Sequence, residues 1–220
     1  MKPRVTAILL YYQRHDNMPR IVQALQEQSE AVDIWMIVNN STWQSWGADR
    51  AVHIPWNAGV SIRVLMAVYA ETPWVMFLDD DLVPDDTEFV KDALRLAVKR
   101  PDVILGAYGR YLSPTPPHYH CDADGRVRIV KGRFMFFHRD LLDNVRLPCV
   151  PPELDVRFCE DIHLSLEVGR GEPVHWVDAG LRERLRELPD AGGLCHRPGH
   201  MAERERFCEW WLEGRQCHRQ

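Results

Sequence analysis

Three consecutive carboxylates, Asp79, Asp80 and Asp81, follow directly on the apolar run Trp74 to Leu78. Like charges at that spacing repel, so the triplet is costly unless something positive sits on it. Side chains alternate across a strand, which puts Asp79 and Asp81 on one face and Asp80 on the other. A hard divalent cation takes oxygen ligands, typically one or two carboxylates completed by phosphate oxygens. An Asp-x-Asp at the end of a buried strand supplies such a set, and a cation held there neutralises a departing diphosphate. The plain alternative is a solvated turn, since Pro84-Asp85-Asp86 follow.

A second acidic pair, Glu160-Asp161, opens a helical stretch, where the helix dipole alone favours carboxylates. His200 and Arg204 stand four residues apart and share one face of a helix. The arginine fork suits phosphate oxygens. Arg14, Asn39 and Asn40 follow apolar runs; arginine reaches a base or a diphosphate, and a side-chain amide both donates and accepts hydrogen bonds. The alternatives are a surface arginine and a turn. Asn57 is equally a helix cap.

These groups need elements to place them. Val5 to Tyr12, Ile34 to Val38, Ala51 to Ile54 and Trp74 to Leu78 read as strands, mostly continuous in apolar character as buried parallel strands are. Helical stretches alternate with them: Asn17 to Gln28, with Asn17 as cap and Pro19 in the first turn, then Gly59 to Tyr69, then Thr87 to Lys99. The alternation predicts a doubly wound, mostly parallel sheet flanked by helices. Such sheets bind ligands at the carboxyl ends of their strands, where the polar clusters stand. The second half is more mixed. Val103 to Ala107, Val127 to Val130, Phe134 to Phe137 and Val174 to Val177 read as strands, and Cys159 to Val168 and Met201 to Leu212 as helices. Arg182 to Glu187 reads as a solvated charged run. Gly132 offers a close backbone approach, and Gly192-Gly193 a hinge in the loop Leu188 to Pro198.

The chain has 220 residues, 45% hydrophobic and 27% charged, with a formal net charge of −5. That predicts one folded domain and disfavours a generally basic nucleic-acid binder. No apolar run approaches a membrane span, and Val5 to Leu10 is too short for a signal peptide, so the expected location is the cytoplasm. The six cysteines include no CxxC pair and are expected to be reduced. Cys195, His196, His200, Cys208, Cys217 and His218 crowd the C-terminus, but their spacing lacks the tight pairs of a zinc finger. Trp176, Trp210 and Trp211 suit stacking on sugar rings, though terminal tryptophans more often anchor to a core.

The segment Val75 to Asp81 resembles the DxD motif of GT-A glycosyltransferases, which use nucleotide sugars. Tyr11-Tyr12-Gln13-Arg14, Val38-Asn39-Asn40, Gly106 to Arg110, Cys159-Glu160-Asp161-Ile162 and Gly199 to Arg204 are similar, in order, to blocks of the exostosin-like glycosyltransferases of family 64. The stretch Ser113 to Asp124 matches nothing in them. The resemblance implies a single GT-A, Rossmann-like domain of α/β class. Residues 1–82 would form the donor half, ending in the DxD, and residues 103–220 the acceptor and catalytic half with a C-terminal lid. It implies a metal-dependent transfer of sugar, with retention, from a nucleoside diphosphate sugar, chiefly UDP-linked, to a hydroxyl acceptor. Mn²⁺ or Mg²⁺ would sit on Asp81 and Asp79. Arg14, Asn39, Asn40, Asn57, Arg63, Asp79, Asp80, His200 and Arg204 would bind the donor. Asp161, with Glu160, would stand beside the anomeric carbon. The acceptor would be a glycan or, as a minority reading, a hydroxymethylated base in DNA. The alternatives are a non-catalytic nucleotide-sugar-binding module and a nucleotidyltransferase. The latter usually carries a glycine-rich first loop, which Tyr11 to Asp16 lacks.

Overall fold

The computed structural model describes residues 2, 4–146, 154–189, 193 and 196–217. Four apolar runs in the first half become parallel strands: β1 (Val5–Tyr11), β2 (Val32–Asn39), β3 (Arg50–Ile54) and β4 (Trp74–Leu78). They pair in the order β3-β2-β1-β4, and β1 and β4 are buried along their whole length. Helices α1 (Met18–Gln26), α2 (Ile62–Ala67) and α3 (Phe89–Ala97) connect or follow them, each shorter than its sequence pattern. Asn17 stands before α1 but makes no side-chain cap; its amide instead donates to the carbonyls of Asp80 and Pro189, at 2.8 and 2.9 Å.

The second half completes the sheet. Strand β5 (Leu82–Pro84) follows the aspartates, then come β6 (Leu105–Gly106), β7 (Gly109–Leu112), β8 (Tyr119–Ala123), β9 (Gly125–Val127), β10 (Ile129–Val130) and β11 (Phe134–His138). After α4 (Glu160–Gly169) follow β12 (His175–Val177), α5 (Ala179–Glu183), β13 (Leu185–Glu187) and α6 (His200–Cys217). The large sheet runs β3-β2-β1-β4-β11-β6-β12-β9, with β11 antiparallel to β4. The run Val127 to Val130 is not one strand. Its first residue ends β9 in the large sheet, and Ile129 and Val130 pair with β7 in a small sheet, β10-β7-β8.

The charged run Arg182 to Glu187 is not simply solvated. Leu185 to Glu187 pair with β5, and Arg184 forks onto Asp86 and reaches Asp92 at 2.9 Å. That pairing holds the segment after the aspartates against the body.

Apolar layers cover both faces of the large sheet, one including Leu9, Met76 and Phe134, the other Ile8, Phe77 and Phe137. Burying each such side chain contributes roughly 1.5–3 kcal/mol. A third cluster docks α6: Phe207, Cys208 and Trp211 pack on Ile129, Cys159 and Ile162. Trp211 is therefore an anchor. Cys159 and Cys208 are buried free thiols; Cys149 and Cys195 lie outside the described residues. Among the described residues no helix is long and apolar enough to cross a membrane.

Candidate functional site

A cavity of about 550 Å³ opens where β1, β2 and β4 end, and α4 and α6 close it from the other side. Asp79, Asp80 and Asp81 all line it. Regular strand ends at Leu78, so the two-residue alternation does not extend through the triplet. The triplet is not a solvated turn either: Asp80 is 6% exposed and Asp81 8%. Backbone bonds pin it. Asp79 N donates to Arg133 O at 3.0 Å, and Leu188 N donates to Asp81 O at 2.7 Å.

Each aspartate meets a guanidinium. Arg14 pairs with the Asp80 carboxylate and stands 3.9 Å from Asp81 Oδ2. Arg133 lies 3.5 Å from Asp81 Oδ2 and 2.9 Å from Glu187 Oε1. Arg63 is 1% exposed and bridges two elements. Its Nη1 is 2.7 Å from Asp79 Oδ1 and its Nη2 is 2.5 Å from Glu160 Oε1, with the guanidinium over the Phe77 ring. A neighbouring backbone makes this possible. A side chain on Gly132 would meet Glu160 Oε1 at 2.8 Å and Arg63 Nη2 at 2.9 Å, so glycine there leaves room for this ion pair and a larger residue would have to push its two ends aside.

Asp161 is held as an ion. Its Oδ2 accepts from Arg204 Nη2 at 2.6 Å and from Gly132 N at 3.0 Å, and its Oδ1 accepts from Ile162 N at 2.9 Å. Burial works against the charged form, but Arg204 and these N–H groups outweigh it and hold the carboxyl below its ordinary range. Arg204 also donates to Tyr119 Oη at 2.8 Å and Phe158 O at 3.1 Å. His200 and Arg204 do share one face of α6, and both line the cavity. His200 is 8% exposed, and its buried Nδ1 has no hydrogen-bond partner. Burial first, then Arg204, pushes its pKa down to about 4, so the ring is neutral at pH 7.

Asn39 and Asn57 bond each other, Nδ2 to Oδ1 at 3.2 Å, and Asn39 Oδ1 accepts from Ala58 N at 2.8 Å. They fix the β2 end against the loop before α2, and both line the cavity. Asn40 does not; it adopts φ 52° and borders a separate hollow with Gln13 and His53. Gly193 lines the cavity, whereas Gly192 lies outside the described residues. The sequence reading missed Arg110, Tyr119, Lys131 and Arg133. The basic-glycine-basic tripeptide Lys131-Gly132-Arg133 between two strands was a signal for the last two; Tyr119 sits in the stretch that matched nothing.

The cavity wall carries five carboxylates and seven lysines or arginines. Its sign is thus opposite to that of the chain. Burial raises Glu160 and Asp80 to about 7, against the pull of Arg63 and Arg14. A carboxyl whose folded pKa lies above its unfolded one favours folding when protonated. That contribution is complete at low pH and is lost as pH rises through about 7. The Glu160→Gln variant is therefore expected to gain stability over the wild type as pH rises from about 5 to about 8. Urea denaturation at both ends checks this; a difference independent of pH would contradict it.

Among the described residues no group of three or more His, Cys, Asp and Glu side chains converges as a metal cage. Of the crowded C-terminal ligands, Cys195 and His218 lie outside the described residues. The donor set of Asp79 and Asp81, carboxylate oxygens on the cavity wall, fits a hard cation completed by phosphate oxygens.

No family model matches the chain, and no curated protein matches it in sequence. Solved structures do match in shape. Residues 1–349 of TarS from S. aureus, in complex with UDP-GlcNAc, are 15% identical with a TM-score of 0.62, covering 90% of this chain and 60% of that one. The mannosyltransferase PcManGT from Pyrobaculum calidifontis, in complex with GDP-Man and Mn²⁺, is 17% identical with a TM-score of 0.59, covering 81% of this chain and 56% of that one. This chain thus spans less than two thirds of the length of either. The likeness is one of fold: a mixed α/β sheet flanked by helices, the GT-A arrangement.

Proposed function

We propose that this chain is a glycosyltransferase that moves a sugar from a nucleoside diphosphate sugar, UDP-linked by preference, to a hydroxyl acceptor. One observation carries the reading. The aspartate triplet and the Glu160-Asp161 pair, 79 positions apart between Asp81 and Glu160, meet across a single cavity at the carboxyl ends of the strands. The GT-A fold agrees with it, and the two similar structures are named with nucleotide sugars.

The residues take the following roles. Asp81 and Asp79 would hold Mn²⁺ or Mg²⁺, which when bound would supply positive charge to offset that of the leaving diphosphate. Arg14 and Arg133 stand beside those carboxylates, where a diphosphate would lie. Asn39 and Asn57 shape the nucleoside end of the cavity, with residues 1–82 as the donor half. Residues 103–220 form the acceptor half. Within it Asp161, fixed as an ion, stabilises the positive charge that grows on the anomeric carbon. Arg63 and Glu160 join the two halves. A retaining outcome remains part of this reading and rests on the family 64 blocks, as does the preference for UDP.

The test is calorimetry with UDP, GDP and CDP, with and without Mn²⁺, on the wild type and on Asp81→Asn. One diphosphate is expected to bind with metal dependence, and the variant to lose at least about tenfold in that affinity, since a charge-assisted contact is worth about 1.5–3 kcal/mol. Absence of binding to every diphosphate would refute the reading. Binding with neither transfer nor donor hydrolysis would favour the non-catalytic module instead.

A further inference from the structure

Tyr119 on β8 carries a hydrogen that the protein does not use. The residue is 7% exposed and lines the cavity. Its Oη accepts from Arg204 Nη2 at 2.8 Å. A guanidinium has no acceptor, so the phenol cannot give its own hydrogen back to Arg204. Among the described residues no other group takes that hydrogen. Burial raises the Tyr119 pKa to about 12, so the hydroxyl keeps its hydrogen at pH 7. A buried donor left unmatched is costly, and an oxygen of a bound substrate would relieve that cost.

The hydroxyl is also held in place. Arg110 and Arg204 lie over the Tyr119 ring, 5.1 and 4.7 Å from its centroid. The Glu205 carboxylate accepts from the backbone N–H groups of His118 and Tyr119, at 2.5 and 2.8 Å, which ties the start of β8 to the helix that carries Arg204. The bond from the charged Arg204 polarises the O–H and makes it a stronger donor. The same Nη2 of Arg204 donates to Asp161 Oδ2 at 2.6 Å, so a single nitrogen stands between the hydroxyl and that carboxylate. Asp161 stands beside the anomeric carbon in the glycosyltransferase reading, and the hydroxyl therefore faces the ring that carries this carbon.

Resting on that reading, we propose that Tyr119 donates its hydroxyl hydrogen to a hydroxyl oxygen of the transferred sugar and is thereby a specificity-determining residue for the donor. A site built around such a bond discriminates against a sugar that lacks the oxygen.

The probes are UDP, GDP, UDP-glucose, UDP-N-acetylglucosamine and GDP-mannose, titrated with Mn²⁺ against the wild type and Tyr119→Phe. The substitution keeps the ring between the two guanidiniums. The variant is expected to bind at least one sugar nucleotide about 5- to 30-fold more weakly than the wild type does, and the parent diphosphate within about twofold. Monodeoxy forms of that sugar nucleotide then separate a direct bond from an effect passed through Arg204. At one position the wild type is expected to lose a similar factor and the variant to lose nothing further. Equal weakening of diphosphate and sugar nucleotide, no sugar nucleotide weakened by the variant, or losses that add at every position would each overturn the proposal. Failure of the wild type to bind any diphosphate would instead refute the glycosyltransferase reading, so the two failures are distinguishable.

Discussion

Replacing Arg63 with methionine is expected to lower the unfolding free energy by about 3–5 kcal/mol, because removing one partner of a buried ion pair leaves the other charge uncompensated. Arg63 is 1% exposed and serves two carboxylates, Asp79 and the 3%-exposed Glu160. Methionine fills much of the space and keeps contact with Phe77, so the loss is chiefly electrostatic. Glu160 escapes part of the penalty by taking up a proton. Its pKa, already raised by burial, then rises further. The deficit is accordingly smaller at about pH 5 than at about pH 8. Adding Glu160→Leu removes the stranded charge and restores much of the stability, as apolar replacement of whole buried pairs often does. Urea denaturation of the single and double variants at both pH values measures all of this. A single variant within about 1 kcal/mol of the wild type would mean that water already screens the pair.

Changing Asp161 to asparagine is expected to lower the turnover of sugar transfer by about 10²–10³-fold or more, the scale seen when one preorganised electrostatic group is removed. Donor affinity is expected to change by less than about threefold, since the lost interaction belongs to the transition state. Three donors converge on this carboxylate: Arg204, Gly132 N and Ile162 N. An amide has one acceptor oxygen to offer them and points its NH₂ at one of the others. It also lacks the negative charge that an oxocarbenium-like centre requires. Arg204 is left without its anion, so some stability is lost as well. Steady-state kinetics beside UDP calorimetry separates the effects. Turnover within tenfold of the wild type would place the catalytic charge elsewhere, with Glu160 the next candidate.

Much of the first half of the chain, residues 1–82, was legible in the sequence. The runs Val5 to Tyr12, broken only by Thr6, and Trp74 to Leu78 are continuous in apolar character, as strands covered on both faces are. Their polar ends lie together because parallel strands align their carboxyl ends. The acidic triplet and the Glu160-Asp161 pair stood out as local clusters of like charge. The second half was less readable. Strands of two or three residues, such as β6 and β10, leave no period to detect. The run Val127 to Val130 divides between two sheets, which no local pattern encodes.

What the residues alone determined, then, is the layered α/β frame and the chemistry at its open edge, since burial periodicity and charge repulsion are properties of neighbours in the chain. The partners were decided by tertiary structure. Arg63 read as a ligand contact; it lines the cavity, and the fold also makes it the link from Asp79 to Glu160, 16 and 97 positions away. Asn17 looked like a cap and instead braces Asp80, 63 positions on. Arg204 read as a phosphate contact; it lines the cavity, and the fold also sets it on Asp161, 43 positions back. A buried charge takes whichever opposite charge the packing brings within reach, and that distance is set by the fold, not by spacing along the chain.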